Sequence, residues 1–140
     1  MLTTARGRVP IGQIRFITNW AFCNTMSRKL IENTIPVLAV SDLERSIEFF
    51  RRVLGFNVEW NAGQICSVGR DGSSIMLQAC EQGSPSTVWI GLEDDSIFES
   101  IEQSGARVLQ APANQPWAYE MKIADPDGNI VWLGAEPSAE

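Results

Sequence analysis

The sequence of 140 residues contains no histidine, and it has only three cysteines and one tyrosine. Histidine is the commonest metal-binding side chain and the one that most easily exchanges a proton near neutral pH. Cys23, Cys66 and Cys80 are an odd number and show no Cys-x-x-Cys spacing, which favours reduced thiols and a cytoplasmic protein over a disulfide scaffold or a zinc site. We therefore expect no metal, no cofactor and no catalytic residue.

Long apolar runs are lacking too. The apolar stretches near the start are interrupted by Arg15 and Asn19, and they fall short of the roughly 20 residues that cross a bilayer. We therefore expect no membrane span. Because no clear small-residue cleavage site follows these stretches, we also expect no secretory signal peptide. With 44% hydrophobic and 20% charged residues, the composition is typical of one globular domain.

Acidic residues are missing from the first 31 positions, which carry five of the 11 basic residues. The remaining stretch holds 6 basic residues against 17 acidic ones, a net charge of −11. Such a body repels nucleic-acid phosphates and attracts cations, so we expect no nucleic-acid partner, although an acidic surface can equally serve solubility alone. We interpret residues 1–30 as a basic N-terminal extension and residues 31–140 as a single domain.

The domain opens with a unit whose order is strand, helix and three strands. Residues 34–40 are predicted to form the first strand, and a helix follows, with Ser41 and Glu44 at the spacing of a capping box and Gly55 as its stop. The apolar residues of this helix recur every three or four positions, which gives one buried face: Leu43, Ile47, Phe50 and Leu54. The three further strands are predicted over residues 56–60, 64–68 and 73–80.

The same order recurs in a second unit, with strands predicted over residues 87–92, 106–110, 117–124 and 129–134. Its helix has an acidic start, two inward residues and a glycine stop: Asp94, Asp95, Phe98, Ile101 and Gly105. The acidic helix starts lie 52 residues apart and the Asp-Gly turns 56 apart, so the two units are in register. We predict an α+β fold of two tandem βαβββ modules, residues 34–80 and 87–134, whose curved mixed sheets surround a cavity.

The residues at both ends of this repeat resemble a known superfamily. Residues 35–56 begin Ile-Pro-Val-Leu-Ala-Val-Ser-Asp and end Leu-Gly-Phe, and Gln-Pro-Trp at 115–117 is followed by Glu120 and by Asp-Pro-Asp-Gly-Asn at 125–129. Over residues 34–136 the sequence resembles the vicinal oxygen chelate superfamily, which includes glyoxalase I, extradiol dioxygenases and the bleomycin-resistance proteins. The combination is most similar to the bleomycin-resistance branch and implies the glyoxalase/bleomycin-resistance fold.

Metal-using members of this superfamily carry a histidine or glutamine on the first strand of a module and a glutamate on its last strand. The resemblance puts Ile35 and Trp132 at two such positions, and Val88 or Trp89 at the corresponding place on the fifth strand. None of these side chains binds a divalent cation, and Gln78 on the fourth strand is a single amide. The resemblance therefore implies a fold that keeps its cavity without metal-assisted chemistry.

In bleomycin-resistance proteins a dimer forms two crevices, where aromatic side chains sandwich a flat ring and acidic groups face the cationic parts of the drug. The resemblance places Glu59, Trp60 and Trp117 in these roles. Five further residues are candidates for the crevice walls, although the apolar strand runs around the two tryptophans among them favour a place in the core or the cavity wall over ligand contact: Met76, Gln78, Tyr119, Trp89 and Trp132.

We therefore expect a protein that binds and sequesters a cationic, aromatic-containing small molecule without a metal, as bleomycin-type antibiotic-resistance proteins do. Two other classes remain open. One is an enzyme of lyase or isomerase type with an atypical site, for which Glu59, Tyr119 and Glu120 are the acid-base candidates, and the other is a ligand-sensing module. The resemblance also implies a homodimer that exchanges its first strand near Pro36. The turn at residues 125–128 is interpreted as structural, because proline and glycine supply its backbone angles.

Overall fold

The computed structural model describes residues 29–138, and every element below belongs to the unit that begins at Ile35. This part of the chain contains eight strands and two helices, numbered in chain order. The strands are β1 (Val37–Val40), β2 (Asn57–Asn61), β3 (Ile65–Arg70), β4 (Ser73–Ala79), β5 (Thr87–Gly91), β6 (Arg107–Asn114), β7 (Tyr119–Ala124) and β8 (Ile130–Ala135). The helices are α1 (Leu43–Leu54) and α2 (Ile97–Gln103). Most of the predicted basic extension, residues 1–28, lies outside the described residues.

The strands form two four-stranded sheets with the same topology. Sheet 1 has the order β1-β4-β3-β2, and sheet 2 has the order β5-β8-β7-β6. In each sheet the first strand of the module runs parallel to the fourth, and the other neighbours are antiparallel. The α+β fold of two tandem βαβββ modules, predicted from the repeat, is thus confirmed.

Helix α1 begins where the sequence indicates, but its N-cap differs from the prediction. Asp42 is the N-cap, because its side chain accepts a hydrogen bond from the backbone N–H of Arg45. Ser41, predicted to cap the helix together with Glu44, instead donates its hydroxyl to Asp127 Oδ1 at 2.6 Å. The predicted capping box is therefore wrong, since a carboxylate 86 residues further along the chain takes the serine hydroxyl.

Glycines follow both helices in left-handed conformations. Gly55, with φ +72°, caps α1 and donates its N–H to the carbonyl of Arg51, and Gly105 has φ +85°. Helix α2 begins later than the predicted acidic start, because the side chain of Asp94 accepts the N–H of Ser96 and forms a turn first. Between residues 29 and 138, neither helix has the length and apolar character needed to cross a membrane.

One apolar core contains both helices and one face of each sheet. Strand residues alternate between this core and the opposite face, so Leu38 and Leu77 of sheet 1 and Val131 and Ile123 of sheet 2 are buried. The opposite face of sheet 1 is called outer face 1 and carries Val37, Glu59, Trp60, Ser67, Ser74, Met76 and Gln78. The opposite face of sheet 2 is called outer face 2 and carries Trp89, Gln110, Glu120, Lys122 and Trp132. Because each sheet turns its other side to the shared core, the two outer faces point away from that core.

Strand β6 is longer than predicted. It continues to Asn114, whereas the sequence indicated a strand only to Gln110. Its pairing with β7 is irregular between Val108 and Gln110 and again between Gln110 and Ala113, where Pro112 lies. The edge strand of a sheet accommodates a proline, because one row of its N–H groups has no neighbour to bond.

The turn between β7 and β8 joins the two modules. Asn129 is fully buried, and its amide donates to the carbonyl of Ala39 in β1 at 3.0 Å and to Asp125 Oδ2 at 2.9 Å. Its side-chain oxygen accepts the backbone N–H of Ser86, just before β5, at 2.8 Å. These bonds, and the one from Ser41, support the structural interpretation of this turn.

Candidate ligand-binding site

A β-bulge in β2 brings two of the predicted site residues to outer face 1. Val58 pairs with Val68, and Trp60, two positions further on, pairs with Ser67, which is adjacent to Val68 in β3. Glu59 is therefore the extra residue of the bulge. In a regular strand, neighbouring side chains point to opposite faces, but the bulge lets Glu59 bond to Ser67 on the face that Trp60 shares.

The Glu59 carboxylate is held by hydroxyl groups and has no basic partner in the part of the chain that the structure describes. Its Oε1 accepts hydrogen bonds from Ser67 Oγ at 2.7 Å and from Ser74 Oγ at 2.8 Å, and these two bonds lower the pKa of Glu59 below its ordinary value. Its Oε2 lies over Gly69, where a larger residue would leave no room. Among residues 29–138, no lysine or arginine lies within ion-pairing distance of this carboxylate. An exposed, ionised carboxylate without a counter-ion attracts cations.

Apolar and amide side chains share outer face 1 with this carboxylate. Met76 on β4 pairs with Ser67 on one side and with Val37 of β1 on the other, so a row across the sheet runs from Val37 to Trp60. Trp60 is 43% exposed. Gln78, which like Met76 is a predicted wall residue of the crevice, is exposed on the same face. Outer face 1 therefore carries both a carboxylate and an exposed indole ring.

Outer face 2 carries two of the predicted tryptophans as a perpendicular pair. Trp89 on β5 pairs in register with Trp132 on β8, and their ring centroids lie 5.2 Å apart at an interplanar angle of 82°. Lys122, the neighbour of Trp132 on β7, places its Nζ 4.4 Å from the centroid of the Trp132 ring. Because Trp89 is 48% exposed, it lies on the surface of this face and not in the core.

Glu120, also on β7, is surrounded by N–H donors. Trp117 Nε1 donates to its Oε1 at 2.9 Å, and Gln110 Nε2 donates to its Oε2 at 3.3 Å. The indole N–H of Trp132 faces the same carboxylate without reaching hydrogen-bond geometry. Burial alone would raise the pKa of Glu120, but these N–H groups and the charge of Lys122 hold it below its ordinary value. The lowered pKa keeps this carboxylate ionised near neutral pH, and both of its oxygens already accept N–H groups.

The structure brings Trp117 to this cluster but not Tyr119. Trp117 precedes β7 and is 63% exposed, with its N–H bonded to Glu120. Tyr119 packs against Phe98 of α2, with ring centroids 5.5 Å apart, on the core side of sheet 2. Because Glu120 points to outer face 2, its neighbour in the strand points the other way, so we leave Tyr119 out of the candidate site.

Gln110, Lys122 and Gly134 contribute to outer face 2 although the sequence patterns do not single them out. The two-residue period of β7 is a usable signal for Lys122, since it places Lys122 on the same face as Glu120. No pattern in the sequence indicates the contribution of Gly134. The six-membered ring of Trp89 occupies the space that a side chain at Gly134 would fill. This contact depends on the orientation of the indole across the sheet, which the sequence does not give.

The side chains at the strand positions linked by resemblance to metal ligands do not fit a divalent cation. Ile35 lies before β1, while Val37 and Met76 are the neighbours on the outer face of β1 and β4. On β5 and β8 the neighbours are Trp89 and Trp132, whose indole N–H is a donor without a free lone pair. Within residues 29–138, no group of three or more histidine, cysteine, aspartate or glutamate side chains converges to hold a metal ion.

The fold and the outer faces define a class of protein: two βαβββ modules with aromatic, carboxylate-bearing sheet faces. Residues 33–133 match the family model of the Glyoxalase/Bleomycin resistance protein/Dioxygenase superfamily. The chain belongs to this superfamily.

Several solved structures have a similar fold, and the three described next share at most 24% sequence identity with this chain. TioX from Micromonospora sp. ML1 is 19% identical with a TM-score of 0.68, over 75% of this chain and 98% of TioX. TnmS3, an antibiotic binding protein from Streptomyces sp. CB03234, is 24% identical with a TM-score of 0.67, over 79% and 100%. A bleomycin resistance determinant encoded on the transposon Tn5 is 19% identical with a TM-score of 0.68, over 76% and 98%. No curated protein sequence matches the chain.

Proposed function

We propose that this protein binds and sequesters a small molecule that carries a positive charge and a flat aromatic ring, without converting it. The observation that carries the proposal is the ionised Glu59 carboxylate, which has no counter-ion among the described residues and shares outer face 1 with the exposed ring of Trp60. A cation gains from the carboxylate, and flat rings gain from stacking on indoles. The names of two structural neighbours, an antibiotic binding protein and a bleomycin resistance determinant, support an antibiotic-like ligand.

The complete site, in this proposal, needs two copies of the chain. Trp60 on outer face 1 and Trp89 and Trp117 on outer face 2 are all substantially exposed, yet the two faces point away from the core that one chain builds. A homodimer that sets outer face 1 of one copy opposite outer face 2 of the other gives two crevices, each lined on both sides by indoles. The exchange of the first strand near Pro36 belongs to the same proposal.

The proposed setting is cytoplasmic, since Cys66 and Cys80 are both free. The proposed activity also needs no metal, because the side chains at the strand positions considered above do not fit one. Dialysis of the protein against EDTA is expected to leave its affinity for a bound probe unchanged, as measured by the same titration before and after. A loss of affinity that added Zn²⁺, Ni²⁺ or Mn²⁺ restores would contradict this part of the proposal.

Titration with dansylcadaverine tests the proposed function, because this probe joins a flat uncharged ring to an alkylammonium tail. The parent protein is expected to transfer excitation from tryptophan to the dansyl group at micromolar probe concentrations. Glu59→Gln removes the charge but keeps the shape, and it is expected to weaken binding about fivefold, because an exposed ion pair with the ammonium tail is lost.

Two controls make the titration specific. Glu102→Gln removes a charge from the exposed side of α2 and is expected to change the affinity less than about twofold. Dansylamide, which lacks the ammonium group, is expected to bind the parent and Glu59→Gln equally. Equal affinity of the parent and Glu59→Gln for dansylcadaverine would contradict the proposed cation site.

A further inference from the structure

The Glu120 carboxylate lies near two indole N–H groups and bonds to only one of them. Trp117 Nε1 donates to Glu120 Oε1 at 2.9 Å. Trp132 is a diagonal neighbour of Glu120, since it pairs with Lys122, two positions further along β7. The buried Nε1 of Trp132 has no hydrogen-bond partner among the described residues, although buried donors are nearly always paired. One carboxylate thus satisfies one of two donors and leaves the other unpaired.

The turn between β6 and β7, residues 115–118, is joined to its sheet through a bulge. Strand β6 has one more residue than β7 between its pairs at Gln110 and Ala113, and Pro112 within this stretch has no N–H for the ladder. The turn itself is closed by one backbone hydrogen bond of 2.8 Å between its first and last residues. The bulge therefore gives the turn that carries Trp117 a place to tilt.

The segment after β8 holds this turn from the other side. Ser138 lies three residues beyond the end of β8 and bonds twice to the Asn114 side chain. The Ser138 N–H donates to Asn114 Oδ1 at 2.8 Å, and Asn114 Nδ2 donates to the Ser138 carbonyl at 3.1 Å. Because β7 lies between β8 and β6, residues 136–138, called the C-terminal strap, pass the start of β7 to reach β6. The strap thus fixes the residue that immediately precedes the turn.

The equivalent asparagine of the first module bonds inside its own turn. Asn61 is the last residue of β2, as Asn114 is of β6, and a backbone hydrogen bond of 2.9 Å closes a turn of the same length after it. Its Oδ1 accepts the N–H of Gly63 in that turn at 2.8 Å. The long-range bond to the strap therefore belongs to the module whose turn carries a tryptophan, and Asn61 offers a matched control.

We propose a two-state switch in which Glu120 bonds to Trp117 while the C-terminal strap holds the turn, and bonds to Trp132 when the turn tilts away. The described state is the closed one, with Trp117 bonded and Trp132 unpaired. The open state satisfies the buried N–H of Trp132, which offsets part of the loss of the strap bonds. Asn114 is then a positioning residue that acts through Trp117. Both states belong to the protein without a ligand, so this inference does not rest on the proposed function.

NMR of the ¹⁵N-labelled indole N–H groups tests the shared carboxylate, because each tryptophan gives one signal. The signal that disappears in Trp132→Phe is that of Trp132. Trp117→Phe keeps an aromatic ring and removes the competing N–H, so the proton signal of Trp132 is expected to shift downfield as it gains a hydrogen bond to Glu120. Tyr119→Phe, beside the turn but on the core side of sheet 2, is expected to leave that signal unchanged. A Trp132 signal that does not move in Trp117→Phe would overturn the proposal.

Variants of the strap test what holds the switch closed. Ser138→Pro removes the N–H that bonds to Asn114, and Asn114→Ala removes both strap bonds. Each is expected to speed the exchange of the Trp117 indole N–H with water about fivefold or more, and to shift the Trp132 signal downfield as Trp117→Phe does. Ser138→Ala keeps both backbone groups, and Asn61→Ala alters the equivalent turn, so both are expected to leave the two signals as in the parent.

The opposite responses of the two indoles separate this switch from a merely structural role, because a variant that only loosened the fold would speed the exchange of both N–H groups. Unchanged exchange of Trp117 in Ser138→Pro would show that the strap does not hold the turn. Faster exchange of Trp117 without a shift of Trp132 would show that Glu120 does not pass between them, and either result overturns the proposal. Because no probe is added, a parent that fails to bind dansylcadaverine contradicts the proposed function alone.

Discussion

The two carboxylates of the candidate site are both ionised, for different reasons. Glu59 is exposed and held by the hydroxyl groups of Ser67 and Ser74, so its charge remains available to a ligand. Glu120 is covered by its neighbours and receives N–H groups from Trp117 and Gln110. The first carboxylate is therefore suited to binding a cation, and the second to holding the tryptophans of outer face 2 in place.

The lowered pKa of Glu120 makes a prediction about stability and pH. A carboxylate whose folded-state pKa lies below its unfolded-state value stabilises the fold above the unfolded-state pKa, and this contribution is lost as the pH falls through the folded-state pKa. The free energy of unfolding is therefore expected to be higher for the parent than for Glu120→Gln near pH 7. The difference is expected to shrink below about pH 4.3.

Urea unfolding at several pH values measures this difference. Glu102→Gln serves as the control, because Glu102 lies on the exposed side of α2 and makes no part of either outer face. A difference between the parent and Glu120→Gln that stays constant down to pH 3 would show that the charge of Glu120 does not support the fold.

At the scale of elements, the C-terminus of α1 depends on one glycine. Gly55 has φ +72°, and the guanidinium group of Arg70 donates to the carbonyl of Leu54 beside it. Gly55→Ala places a methyl group in a left-handed conformation and against Arg70, so it is expected to lower the free energy of unfolding by about 1–2 kcal/mol. Gly91→Ala, at a glycine without positive φ, is the control for adding a methyl group, and an equal loss in both variants would contradict the left-handed cap as the cause.

Local chemistry explains which elements are predictable from the sequence. The period of apolar residues in α1, the stop at Gly55 and the Asp71-Gly72 turn, whose residues have φ +53° and +82°, all follow from neighbouring residues. The hydroxyl of Ser41 bonds to Asp127 instead of capping its own helix, and this depends on a partner that no local pattern indicates. The extension of β6 past Gln110 likewise depends on its pairing with β7, so the local sequence does not indicate it.

The candidate site is predictable in part for a similar reason. The resemblance singles out Glu59 and Trp60, but a strict alternation would separate them, and the bulge that unites them depends on the pairing of β2 with β3. Tyr119 falls on the core side because the alternation of β7 is set by its pairing with β8. Lys122 is placed over Trp132 by that same register, which the residues of β7 alone do not reveal.

At the scale of the whole molecule, the proposed dimer predicts complementation between two defective variants. Glu59→Gln damages outer face 1 and Trp89→Leu damages outer face 2. If each crevice takes one face from each copy, a mixed dimer has one crevice with both defects and one with none. Co-refolding equal amounts of the two variants is therefore expected to restore the parent affinity in about a quarter of the crevices, while neither variant alone recovers it.

Light scattering and titration together check this prediction. The parent is expected to scatter as a species of twice the chain mass at micromolar concentration. A monomer, or a mixture that contains only weak sites, would contradict the shared crevice. In either case the Glu59→Gln titration measures the binding of the probe by outer face 1 alone.

The buried amide of Asn129 also governs how the molecule comes apart. It bonds at once to the carbonyl of Ala39, to the N–H of Ser86 and to the Asp125 carboxylate, so unfolding of either half breaks hydrogen bonds that hold the other half. The two modules are therefore expected to lose their structure in one cooperative event, and urea unfolding should show a single transition with no half-folded species.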